Sequence, residues 1–140
     1  MITLDDMITR FGEEELAELT DRQNYQIIDV AVVNKAIADA ISEAESYLNA
    51  TGLVSRHQGV LQYQLGAVPQ PLVIRLCDMA RYYLHDDSVT PVVKERYEQA
   101  IAWLKLVIKN PTMLTGVTIT QGKSTAIAVI ANAKPDMWRD

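Results

Sequence analysis

The sequence predicts a mainly α protein. We expect a small antiparallel helical bundle, built from a long helix and a helical hairpin with two short N-terminal helices, plus an extended loop and a C-terminal β-like arm. Three observations predict it. Leu72, Leu76, Ala80 and Leu84 recur at four-residue steps, with Met79 and Tyr83 beside them. Val93, Tyr97, Ala100, Ile101, Leu104 and Ile108 repeat the pattern further on, so each segment carries one continuous apolar stripe on a 3.6-residue helix. Beyond Asn110-Pro111 the pattern changes to strict alternation, the period of a strand.

The hairpin spans residues 72–85 and 92–108. Between its arms His85-Asp86-Asp87-Ser88-Val89 is too short for anything but a reversal, and Thr90-Pro91 restarts the chain. Thr90 suits an N-cap and Pro91 the first helical position, where a missing N–H costs nothing. The two stripes therefore face each other or a shared third helix.

At the N-terminus, Thr3-Leu4-Asp5-Asp6 reads as a capped helix start, with Asp6 placed to reach back to Thr3. Leu4, Met7, Ile8 and Phe11 form its apolar side and Gly12 ends it. Glu13-Glu14-Glu15 opens a second short helix at the end where the dipole favours negative charge, anchored by Leu16 and Leu19. This charge run is a solvated face with a capping role. After a polar loop at residues 20–24, Asp29 caps the longest helix, at about residues 30–50. Val33, Ile37, Ala40, Ile41, Ala44, Tyr47 and Leu48 form its stripe, with Lys35, Asp39, Glu43 and Glu45 largely on the other side. Its alanines favour helix and permit close approach, and Thr51-Gly52 stops it with a glycine suited to a left-handed cap.

Residues 53–70 break the helical pattern. Gly59, Gly66, Pro69 and Pro71 punctuate two short extended candidates, residues 53–55 and 60–65, which suit either a hairpin or a mobile loop. After residue 110, Val117 and Ile119, then Ile127, Val129 and Ala131, alternate with smaller or polar residues around Gln121-Gly122-Lys123. This reads as two strands, and an isolated two-stranded hairpin is marginal in water. We therefore divide the chain into a helical domain, residues 1–110, and an extended arm, residues 111–140. Val117, Ile119, Ile127, Val129 and Trp138 are the candidate subunit-interface residues.

Composition sets the outer bounds. A chain of 140 residues with 49% apolar content suits one domain that buries roughly two-thirds of its unfolded surface. No apolar run reaches the ~18 residues of a membrane span, and the first residues lack the basic start and apolar centre of a secretory signal. A single cysteine, Cys77, points to a reducing, intracellular site of synthesis. Residues 1–50 carry 11 Asp/Glu and 3 Lys/Arg, whereas residues 51–140 carry 7 and 10. The net charge of −5 disfavours tight sequence-specific DNA binding, which works through a basic face.

The sequence carries no catalytic constellation. Cys77 and His85 share one helix eight residues apart, about 12 Å along the axis and too far for a thiolate–imidazole pair; a buried structural cysteine is the simpler reading. His57, His85, Asp86 and Asp87 lack the spacing of a metal site, and His85 suits a helix C-terminus, where the dipole favours positive charge. Phosphate-binding glycine loops and nucleophile elbows are absent. Tyr82, Tyr83, Tyr97 and Trp103 are expected to pack between helices. Arg75, Asp78, Arg81, Tyr82 and His85 sit three or four residues apart on neighbouring turns; they form the structural polar set of the helix pair, with Asp78 held by a cation or a tyrosine hydroxyl.

Several stretches together carry a resemblance. They are Ile8-Thr9-Arg10-Phe11-Gly12-Glu13-Glu14-Glu15-Leu16, Leu19-Thr20-Asp21-Arg22, and the alanine-rich helix ending Tyr47-Leu48. To these are added Arg75-Leu76-Cys77-Asp78-Met79-Ala80-Arg81-Tyr82-Tyr83-Leu84-His85-Asp86 and Val93-Lys94-Glu95-Arg96-Tyr97-Glu98-Gln99-Ala100-Ile101-Ala102-Trp103-Leu104. Over residues 1–109 the chain resembles a small neck-protein family of Mu-like tailed phages and prophages, of the head–tail connector or head-completion type.

The resemblance implies a structural protein, not an enzyme, with no cofactor and no metal. Such subunits assemble as homo-oligomeric rings, commonly twelve-fold, between the portal and the tail-side neck proteins, with double-stranded DNA passing through. It implies a place at the head–tail junction of the virion after synthesis in the bacterial cytoplasm, and no membrane partner. Two other readings stand beside it. One is a small prophage-encoded helical adaptor or regulator that binds a single partner protein. The other is an enzyme or metal protein built on His57, His85, Asp86 and Asp87.

Overall fold

The computed structural model describes residues 1–85 and 88–115. The chain is mainly α: α1 (Leu4–Phe11), α2 (Glu13–Thr20), α3 (Val30–Leu48), a two-stranded antiparallel hairpin of β1 (Val54–His57) and β2 (Val60–Tyr63), α4 (Gln70–Leu84), α5 (Pro91–Lys109) and a short α6 (Thr112–Thr115). The proposed strands at residues 117–131, with the interface candidates Val117, Ile119, Ile127, Val129 and Trp138, lie outside the described residues.

The helix starts obey local chemistry. At α1 the Thr3 hydroxyl accepts from the Asp6 N–H while the Asp6 carboxylate accepts from the Thr3 N–H at 2.8 Å, closing a reciprocal capping box. Asp29 accepts from the N–H groups of Ala31 and Val32 at α3, and Thr90 accepts from Val93 at α5, with Pro91 in the first turn. Helix α3 stops two residues before the expected end and tightens into a 3-10 turn over Asn49–Thr51. Gly52 then reverses the backbone at φ 75°, the left-handed region that a side chain disfavours.

Residues 53–65 resolve as a hairpin. Val54 pairs with Tyr63 and His57 with Val60, and Gln58 and Gly59 turn with φ 53° and 82°. Two consecutive positive φ values give the turn whose twist matches the strands. Leu53, Val54 and Leu61 are buried, so one face of the hairpin closes the end of the bundle. Arg56 fastens the tip, since its guanidinium donates to both carboxylate oxygens of Glu45 on α3 and to the Gly59 carbonyl.

Helix α4 is the centre. It packs on α3, α5 and α1, and five consecutive residues, 76–80, are buried. A helix facing solvent on one side never buries five in a row. The short connection after α4 makes α5 antiparallel to it, and Val32, Lys35 and Ala36 near the start of α3 lie beside Tyr83 and Leu84 at the close of α4, so α3 is antiparallel to it as well. The bundle thus has an upper end, holding the α2–α3 loop and the α4–α5 connection, and a lower end, holding the hairpin, the close of α5 and α6.

Two expectations are corrected here. In α5 the last buried position is Val107, not Ile108, which is 36% exposed. From Leu104 a three-residue step returns to the buried side, whereas a further four-residue step rotates past it. Asn110-Pro111 does not end the helical part either, because α6 follows and buries Leu114.

Candidate functional site

The polar residues of α4 reach outward to the neighbouring elements. Asp78 is 2% exposed and its carboxylate accepts from Arg10 of α1, Nη2 at 3.3 Å and Nε at 3.4 Å. Arg81 donates to Glu15 of α2 through Nε at 2.7 Å and Nη2 at 3.1 Å. The Phe11 ring lies beneath both guanidinium groups, 4.6 Å from Arg81 and 5.7 Å from Arg10, an arrangement that the ring quadrupole favours. Two ion pairs and one ring thus fasten α1 and α2 to α4. Glu15 is accordingly not part of a purely solvated charge run.

Arg75 points instead at Trp103 of α5, 5.7 Å from its ring. Tyr82 stacks on Tyr97 at 3.9 Å between centroids and 13° between planes. The His85 Nδ1 lies 3.0 Å from the Arg81 carbonyl at the end of α4. The polar residues singled out on this helix therefore serve separate contacts and converge on no common site.

A second cluster was not visible in the sequence. The Tyr83 and Tyr97 hydroxyls both donate to Glu43, at 2.5 and 2.8 Å, so a side chain assigned to the solvent side of α3 faces the junction of three helices. Burial, then the neighbouring carboxylate, pushes the Tyr83 phenol up to about 12, and the same causes raise Tyr97 further. Burial also pushes the Cys77 thiol up to about 12, which suits an inert packing residue. His57 sits on β1 at the lower end and His85 at the upper end, so the structure does not bring those two together. Among the described residues no group of three or more His, Cys, Asp or Glu is gathered for a metal ion, and no helix is long and apolar enough to cross a membrane.

Among the described residues, exposed apolar side chains gather at both ends of the bundle, and Val60 and Val92 are exposed besides. At the upper end Tyr25 and Ile27 are 59% and 71% exposed, followed by Val30 and Val32 at the start of α3. Asp21 organises this loop by accepting from the N–H groups of Asn24, Gln26 and Ile27, which holds its carboxyl below the usual range. At the lower end Leu106 is 52% exposed, with Ile108 and Met113 beside the close of α5. Between α2 and α5 runs a groove of about 610 Å³ lined by Glu14, Glu18, Arg81, His85 and Thr90 among others.

The chain is thus a small helical bundle fastened internally by ion pairs, with apolar side chains exposed at both ends. The chain belongs to the family described as Bacteriophage Mu, Gp36, which matches residues 2–129. It is similar to the Mu-like prophage FluMu protein gp36 of Haemophilus influenzae, 28% identical over 110 residues that cover 79% of this chain and 72% of that protein.

Proposed function

We propose that this chain is a structural subunit of the phage particle, a head–tail connector that forms a ring between portal and tail with DNA passing through it. It carries no chemistry of its own and works by packing against copies of itself, the portal and tail-side neck proteins. The family match over residues 2–129 carries the reading. The exposed apolar corners add to it, since exposed apolar surface gathered at particular places marks sites of association. The acidic balance of −5 suits the passage of a duplex, because carboxylate and phosphate repel. The alternation of Val117, Ile119, Ile127 and Val129 in the sequence is the pattern suited to strand addition on a neighbouring subunit.

The test is the mass of the purified protein in solution, alone and mixed with its portal, followed by electron microscopy of the mixture. Rings on the portal are expected. A protein that stays monomeric or dimeric and binds one partner without forming rings would be the prophage adaptor instead.

A further inference from the structure

We propose that the two ends of the bundle are the two halves of one head-to-tail interface, the upper corner of one copy docking on the lower corner of the next. The proposal rests on the connector reading and names the surface that such a ring uses.

The upper corner is apolar and acidic. Tyr25, Ile27 and Val32 are exposed there, and Glu18, Asp21 and Arg22 lie at or just past the close of α2 beside them, two carboxylates to one guanidinium. Glu18 forms no ion pair among the described residues, unlike Glu15 one turn earlier, which Arg81 neutralises. The lower corner is apolar and basic. Leu106, Ile108 and Met113 are exposed; Lys105 and Lys109, without an ion pair among the described residues, lie on the outer side of α5 between the directions of Leu106 and Ile108.

These corners sit at opposite ends of α3 and α5, about 28 Å apart along a 19-residue helix at 1.5 Å per residue. One copy cannot bring them together, whereas two copies in the same orientation can. The signs decide the pairing. Upper to upper sets carboxylates against carboxylates, and lower to lower sets ammonium groups against ammonium groups. Only upper to lower joins opposite charges beside exposed apolar side chains. Such a contact uses two different patches, so it repeats from copy to copy and closes into a ring where the rotation permits.

Two single variants test this in the full chain. Ile27→Lys places a cation on the upper corner against Lys105 and Lys109, and Leu106→Glu places an anion on the lower corner against Glu18 and Asp21. Both positions are exposed, so thermal melts should match the unchanged protein. Each variant alone should remain a monomer by light scattering under conditions in which the unchanged protein assembles. An equimolar mixture should regain association, because each variant supplies the intact end that the other lacks, and the introduced cation and anion can meet across the altered contact. Assembly by either variant alone, or a mixture that stays monomeric, would overturn the head-to-tail contact while leaving the connector reading in place. An unchanged protein that never leaves the monomer, even with its portal, would overturn both.

Discussion

Arg10 and Asp78 lie 68 residues apart in the sequence and meet with the arginine Nη2 3.3 Å from the carboxylate. Asp78 is almost fully buried while the Arg10 side chain is 30% exposed. The pair is therefore asymmetric. Removing the arginine strands a buried charge, whereas removing the aspartate releases a cation that water can reach.

Arg10→Ala should accordingly destabilise the fold more than Asp78→Asn. Leaving one partner of a buried pair uncompensated costs ~3–5 kcal/mol in full burial; with a partly exposed arginine we expect about 2 kcal/mol for Arg10→Ala and about 1 kcal/mol for Asp78→Asn. Urea denaturation of both variants measures the order. The reverse order would mean that the aspartate is stabilised mainly by something other than this guanidinium.

Leu104 and Leu106 are two residues apart on α5 and should behave oppositely. Leu104 is fully buried and Leu106 is half exposed. Leu104→Ala is expected to cost ~2–5 kcal/mol and Leu106→Ala to stay within ~0.5 kcal/mol. Similar losses at both positions would misplace the buried side of the helix.

The tyrosine pair on Glu43 predicts a loss of stability in alkali. Tyr83 keeps its proton to about 12 in the folded protein against an ordinary value of 10.0. A group that holds its proton more tightly when folded contributes fully below pH 10, and that contribution drains away as pH rises through 12. The unfolding free energy should therefore fall across this window, and Tyr83→Phe with Tyr97→Phe should flatten the fall. At pH 7 each single change should cost about 1 kcal/mol, the net worth of one hydrogen bond. An unchanged alkaline slope in the double variant would remove these phenols as its source.

What the sequence disclosed is local. Thr3 with Asp6, Asp29, and Thr90 with Pro91 mark helix starts because capping satisfies N–H groups within three residues. The stripes of α3, α4 and α5 were readable because burial follows the helical period. Contacts between elements left no such mark. Nothing near Glu43 in sequence distinguishes it from Glu45, yet one receives two tyrosine hydroxyls and the other an arginine from the hairpin. Arg10 and Glu15 likewise look like ordinary surface charge until α1 and α2 fold back on α4. In α4 the spacing placed Arg75, Asp78, Arg81, Tyr82 and His85 on neighbouring turns without naming their partners, and Arg75 and Arg81 reach Trp103 and Glu15 on other helices. The hairpin stayed ambiguous because Gln58-Gly59 is a weaker turn signal than Asn-Gly.

The last prediction concerns where the helical unit can be cut. Leu114 is buried and α6 runs to Thr115, so a truncation at residue 110 removes part of the core, whereas ending the chain after Thr115 spares it. We expect residues 1–115 to retain the helical circular dichroism and melting temperature of the full chain, and residues 1–110 to melt lower. Stable rings should nevertheless be lost from residues 1–115. A specific interface buries ~1,200–2,000 Å², more than three or four exposed side chains at each corner supply, and the alternating sequence with Val117, Ile119, Ile127 and Val129 is the candidate for the rest. Residues 1–115 should then show weak, concentration-dependent self-association that rises in low salt, as a contact between an acidic and a basic corner requires. Full ring formation by residues 1–115 would remove the arm from assembly, and loss of the helical fold would place residues 116–131 in the core of their own subunit.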